Sequence, residues 1–259
     1  MKIARFEYQG QVRRGIVDGD SLRLVGEDDL TPTGETATLE SVRLLSPVDP
    51  PNVLAIGLNY GRHALESEMK LPERPLLFIK ATTSVIGASE EIVLPSLAPS
   101  EVDYEAELCV VIGKTAKNVS EDEALGYVLG YTCGNDVSAR DCQLRLDGQW
   151  ARGKSFDTFC PLGPWIETEI ADPDNLAIRS RLNGQIMQES TTSDLIFNCR
   201  HLISFLSHNM TLLPGTVIMT GTPEGVGFVR KPPVFLKAGD VIEVEIEGIG
   251  TLRNTVRAE

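Results

Sequence analysis

The stretch EVDYEAELCVVIG, residues 101 to 113, places Glu105 and Glu107 on either side of one alanine, immediately before an apolar run. The alternation reads as a β-strand, in which residues i and i+2 point to the same face. Two carboxylates are thereby set side by side, where like charges repel. Either they lie on a solvated strand face, or their oxygens jointly hold a metal ion. This stretch alone does not decide.

Working outward, strand patterns dominate the chain. VLAIGLNY, PLLFIK, GTVIMTG and DVIEVEIEG read as strands, the last with Glu243, Glu245 and Glu247 on one solvated face. LAIRSRLNGQIMQES is a hairpin, with Asn183-Gly184 as its turn. Helical spacing appears in RHALESEM, in SARDCQLRL and in CRHLISFLSHN. Residues 1 to 45 read as short strands turning at Gln9-Gly10 and Asp18-Gly19. The proline-rich SPVDPPN, 46 to 52, then connects them to the rest. The expected organisation is a small N-terminal β-rich domain, 1–45, ahead of a larger domain, 46–259, in a β-rich α+β chain.

Composition narrows the function. The 259 residues carry a formal net charge of -13, which argues against nucleic acid or an anionic membrane surface as partner. No apolar stretch is long enough to span a membrane, and the start MKIARFEYQG has no signal-like apolar core. Five cysteines without paired spacing read as buried small side chains in a reducing compartment, so the cytoplasm is the expected location. An anionic substrate would need a locally basic pocket.

A third carboxylate, Asp136, lies at a strand end in CGNDVSARD, where it could equally cap the following helix. Three carboxylates without histidine or thiolate suit Mg²⁺, Mn²⁺ or Ca²⁺ rather than zinc. Arg140 and Gln143, three apart, project from one helix face close to this group. Lys80, ending PLLFIK, and Lys154, in WARGKSFDTFC, could add cations. A metal flanked by Arg, Lys and Gln is what a small dicarboxylate or keto acid requires. His63 and Glu66, three apart in NYGRHALE, could form a base and its orienting acid. His201 and His208 read as structural.

Seven stretches, GLNYGRHALE, PLLFIK, VDYEAELCVVIG, GNDVSARDCQ, GKSFDTFCPLGPWI, LNGQIMQESTTSDLIF and MTGTPEGVG, together resemble the fumarylacetoacetate hydrolase family over roughly residues 50 to 257. The resemblance implies mixed β-sheets rolled around a metal site, and cleavage, tautomerisation or decarboxylation of β-dicarbonyl acids. Carried over by position, Glu105, Glu107 and Asp136 match the metal ligands. Arg140, Gln143, Lys154 and Lys80 match substrate-contacting and oxyanion-stabilising positions. Thr222 lies in a loop whose backbone N–H groups can bind a carboxylate. His63 and Glu66 match a catalytic dyad on a mobile lid helix, and His63 is expected to be mobile or distant from the metal when the site is empty. A homodimer is the expected assembly.

The main expectation is a metal-dependent hydrolase that cleaves a C–C bond in a 2,4-dioxo acid, with His63 activating water and Lys154 and Arg140 stabilising the enolate that leaves. The alternative is an isomerase, tautomerase or decarboxylase acting on a 2-hydroxymuconate-type dicarboxylate or on oxaloacetate. A metal-carboxylate binding protein without turnover is the outside reading.

Overall fold

In the computed structural model, residues 1–26, 30–98 and 100–259 are described. The large sheet runs, in spatial order, through Pro32–Thr38, Ser21–Val25, Gln11–Asp18, Lys2–Tyr8, Cys160–Glu167, Val128–Asn135, Ala106–Ile112, Val217–Met219, Val53–Gly57 and Leu76–Lys80. Along this path neighbours are antiparallel except for Val217–Met219 against Val53–Gly57, and Val85–Ile86 adds a second parallel pairing beside Cys160–Glu167. A second sheet runs Gln185–Thr191, Ala177–Leu182, Val241–Ile246, Gly250–Ala258 and Ile92–Leu94. The mixed, strand-rich fold agrees with the sequence reading.

The N-terminal strands form a meander with its own small core of Ala4, Phe6, Leu22, Leu24 and Ala37. The same meander extends the large sheet, because Lys2 and Ile3 pair with Glu167 and Ile166. Its first turn has positive φ at both Gln9 and Gly10, the geometry that matches the twist of a two-residue hairpin. Asn183-Gly184 does the same in the second sheet.

The strand Ala106–Ile112 is buried along its whole length. One of its faces, with Leu108 and Val110, packs with Ile178, Val244 and Leu252 of the second sheet and with Leu202, Ile203 and Leu206 of helix Cys199–Asn209. Its other face, with Cys109 and Val111, packs against Val53, Phe78 and Leu162. A strand apolar on both faces belongs in a sheet interior. The solvated-face reading of the paired glutamates therefore fails: Glu107 lies 1% exposed at the heart of the fold.

One local expectation changes. SARDCQLRL does not start a helix at Ser138. Ser138–Ala139 instead pairs with Val102–Asp103, and a wide helical turn follows over Cys142–Leu146. Its first N–H is capped by Asp141, not Asp136. Asp136 is thereby freed from a capping role.

Candidate active site and metal centre

Antiparallel pairing brings the three acids together. Glu107 stands opposite Gly134 in the ladder, and the Asp136 backbone N–H donates to Glu105 O at 2.9 Å. Residues about thirty apart in the chain are thus locked side by side by main-chain bonds. One oxygen from each of Glu105, Glu107 and Asp136 lies within 4.8 Å of the others. All three are buried.

Cations surround them. Lys154 Nζ donates to Glu105 Oε2 at 3.0 Å, to Asp136 Oδ2 at 2.6 Å and to Ser138 Oγ at 2.8 Å. Arg140 donates through Nη2 to Glu105 Oε1 at 2.7 Å and through Nη1 to Gln143 Oε1 at 2.8 Å. Burial opposes both charges, yet the carboxylates outweigh it and hold Lys154 and Arg140 above their ordinary pKa values. Burial likewise opposes the Glu105 charge, but Lys154 and Arg140 hold it ionised, below the usual carboxylate range. Glu107 is the exception. Burial, then Asp136 and Glu105, push its carboxyl well above that range, against the Gly221 N–H that donates to Oε2 at 2.8 Å.

That imbalance tests whether a metal fits. With every carboxylate ionised, the buried site would set Asp103, Glu105, Glu107 and Asp136 against Lys80, Arg140 and Lys154, formally one negative charge in excess. A divalent cation reverses the sign and leaves a site that attracts an anion. Three hard carboxylate oxygens with no sulfur or imidazole among them suit Mg²⁺, Mn²⁺ or Ca²⁺. The donor set fits.

One cavity is lined by His63, Glu105, Arg140, Gln143, Lys154 and Thr222, with Phe78, Trp150 and Phe228 as aromatic walls. Phe228 lies over the Arg140 guanidinium at 4.3 Å, and Lys154 Nζ stands 5.2 Å from the Phe78 ring. Charged groups with apolar walls are what a small organic anion needs.

Two sequence expectations require correction. Lys80 does not line this cavity. Its side chain is fully buried, and its ammonium donates to Asp136 Oδ1. It braces a carboxylate of the site instead of meeting substrate. His63, expected to be mobile or distant from the metal, lies docked at the site in this structure. It is 6% exposed and borders the same cavity as Glu105. Its helix, Gly61–Glu66, is docked because Glu66 accepts from Gly225 N–H at 3.0 Å and Asp194 accepts from Arg62 N–H at 3.0 Å. His63 Nδ1 and Glu66 Oε2 are 3.5 Å apart.

The 220–225 loop uses its N–H groups on carboxylates, as expected, but on the protein's own. Gly221 serves Glu107, and Gly225 serves Glu66. Both glycines have positive φ, 103° and 97°, and a Cβ at Gly225 would meet Met187 O at 2.3 Å. Only glycine supplies this backbone. Thr222 Oγ1 accepts from Gln188 Nε2 at 2.7 Å.

Sequence reasoning missed Gln188 and Asp103. Gln188 also accepts from Ala106 N–H, at 3.0 Å, and so ties the acidic strand to the loop. It sits beside a register shift in its hairpin, which hides its burial from any period-two count. Asp103 was legible: it stands two residues before Glu105, on the same face of the alternation.

The comparisons with known proteins agree with this geometry. The family model "Fumarylacetoacetate (FAA) hydrolase C-terminal" matches residues 52–257, and "Rv2993c-like, N-terminal" matches 1–47. This chain belongs to the fumarylacetoacetate hydrolase family. Among the relatives of this family, "Oxaloacetate tautomerase fahd2, mitochondrial" of Xenopus laevis is 44% identical over 250 residues, covering 95% of this chain and 78% of that one. The crystal structure of 5-carboxymethyl-2-hydroxymuconate delta-isomerase from Mycobacterium smegmatis superposes with a TM-score of 0.90 at 42% identity, covering both chains completely. That of 2-hydroxyhepta-2,4-diene-1,7-dioate isomerase from Mycobacterium marinum gives 0.89 at 39% identity, over 100% of this chain and 99% of that one. Among the described residues, no helix is long and apolar enough to cross a membrane.

Proposed function

We propose that this chain is a divalent-metal-dependent isomerase that interconverts the enol and keto forms of a small 2-oxo dicarboxylic acid of the oxaloacetate class. The observation that carries the reading is the buried Lys154 ammonium, bonded at once to Glu105 and Asp136 and bordering the cavity. It places a fixed positive charge beside the acidic cluster, where an enolate oxygen needs it. The relatives named for tautomerase and isomerase activity support this reading over the hydrolysis expected first.

Glu105, Glu107 and Asp136 would hold the ion, which when bound supplies a Lewis acid for the 2-oxo oxygen. Arg140, with its remaining N–H donors, takes a substrate carboxylate, and Gln143 fixes the guanidinium plane. Lys154 keeps its proton and faces the oxygen that gains charge. Tautomerisation removes a proton from the enol hydroxyl and returns one to carbon, so a single group that takes and gives suffices. His63 is that group. Glu66 orients its ring, and neutral imidazole accepts the proton before returning it at C3.

A second reading keeps the C–C hydrolysis of a 2,4-dioxo acid. It is favoured by the His63–Glu66 pair itself, an arrangement that also suits deprotonating water. Parallel assays of enol-oxaloacetate ketonisation and acetylpyruvate cleavage, each with Mg²⁺ and Mn²⁺, separate the two. The homodimer expected from the sequence stands as part of this proposal. Large apolar side chains, Leu65, Leu144 and Leu146 among them, stand exposed.

A further inference from the structure

Asp103 has no part in the chemistry above, yet it is completely buried beside that machinery. One of its oxygens accepts from Arg140 Nε at 2.6 Å, and the other accepts from the Phe228 backbone N–H at 2.8 Å. Phe228 in turn lays its ring on the guanidinium of the same arginine. The carboxylate is held opposite Ser138 by strand pairing, and Ser138 Oγ receives a bond from Lys154. Arg140 is therefore gripped at three nitrogens, by Asp103, Gln143 and Glu105, and covered on a face by Phe228.

We infer that Asp103 is a positioning residue: it couples the seating of the 221–228 loop to the alignment of Arg140 for the substrate carboxylate. The chain of contacts is continuous. Gly225 of that loop holds Glu66, and hence the His63 helix. Phe228 of the same loop is held by Asp103, and Asp103 sets Arg140. A guanidinium recognises a carboxylate through a planar fork, so a rotation about Nε spoils both of its bonds at once. The inference rests on the reading of Arg140 as a carboxylate-binding group.

The near-isosteric Asp103→Asn variant tests it. An amide accepts at one end only, so its NH₂ must confront either Arg140 Nε–H or Phe228 N–H, and one of the two bonds is lost. The expected result is a KM for enol-oxaloacetate raised about 10- to 100-fold, the range for losing a hydrogen bond to a charged group, with kcat changed much less. Calorimetry on the Mn²⁺-loaded protein with oxalate, a planar dicarboxylate, should show the same loss of affinity. Mn²⁺ affinity itself should stay within about twofold, since Asp103 is not among the proposed ligands. In an Arg140→Gln background, Asp103→Asn should add no further loss. Should Asp103→Asn fail to fold, Arg140→Lys probes the same point: it keeps the charge but not the fork, and should reproduce the oxalate defect.

Wild-type oxalate affinity in folded Asp103→Asn or in Arg140→Lys overturns the inference, as does full additivity of the Asp103 and Arg140 effects. If the wild-type protein does not ketonise oxaloacetate, the proposed reaction fails. The oxalate titrations still decide the role of Asp103.

Discussion

The two sides of the cavity are built differently. The acidic floor of Glu105, Glu107 and Asp136 stands at the ends of central strands, fixed by ladder pairing and by buried bonds to Lys80, Lys154, Arg140 and Gly221. The opposite side, His63 and Glu66, rides on a helix of six residues, too short to hold itself and tied down mainly through Gly225 and Asp194. Leu65 in that helix is 76% exposed. The floor is held by main-chain pairing inside the core, whereas the dyad is held by side-chain bonds from a short helix. On the proposed reading, enolate stabilisation, common to isomerase, decarboxylase and hydrolase chemistry, belongs to the floor. On the same reading, the step that distinguishes them belongs to the docked helix.

If the floor carries the shared step, its removal has the largest effect. Glu105→Ala, Glu107→Ala and Asp136→Ala should each lower Mn²⁺ affinity severely and abolish turnover on every substrate. Calorimetric titration reads this directly, and unchanged affinity in any one of them removes that residue from the ligand set. Asp136→Ala should also lose stability by about 3–5 kcal/mol, because it leaves the buried Lys80 charge without its carboxylate partner.

Lys154→Ala comes next. Loss of the fixed positive charge beside the enolate oxygen should lower kcat by about 10²–10³-fold, and ketonisation and any acetylpyruvate cleavage should fall together. A variant that lost only one of the two reactions would show that the floor is not shared.

His63→Ala acts on the other side. It should spare Mn²⁺ binding while ketonisation drops by about 10²-fold, the lower part of the range for a general acid–base group. Wild-type ketonisation in this variant would take His63 out of the proton transfer.

The smallest effect belongs to Glu66→Gln. Burial would raise the Glu66 carboxyl, but His63 and the Gly225 N–H outweigh it and hold its pKa below the ordinary 4.5. A depressed acid stabilises the fold above its unfolded pKa, and that stabilisation disappears as pH falls through the lower folded value. The wild type should therefore exceed Glu66→Gln in stability by at most about 1 kcal/mol at neutral pH. The gap should close only below pH 4.5. Thermal melts from pH 2 to pH 8 follow it, and a gap that widens on acidification contradicts the assignment.

The sequence made the two sides unequally legible. The floor was readable because strand periodicity puts Glu105 and Glu107 on one face, and the same rule reaches Asp103. The hairpin at Asn183-Gly184 and the helix Cys199–Asn209 were equally plain, since turn chemistry and apolar spacing are local. Asp136 was ambiguous between cap and ligand until pairing set it against Glu105. Lys80 and Gln188 were out of reach. Whether a lysine meets substrate or braces a carboxylate depends on depth, and a register shift conceals Gln188. The docked state of the His63 helix rests on Gly225, 159 residues from Glu66, a contact no local pattern reports.

The most direct test follows freshly dissolved enol-oxaloacetate in the presence of Mg²⁺-loaded protein, with acetylpyruvate assayed in parallel. The wild type should accelerate decay of the enol absorbance, Lys154→Ala should not, and acetylpyruvate should be cleaved far more slowly than oxaloacetate is ketonised. An unaccelerated enol decay, together with His63-dependent release of acetate and pyruvate, would contradict the isomerase reading and return the chain to C–C bond hydrolysis.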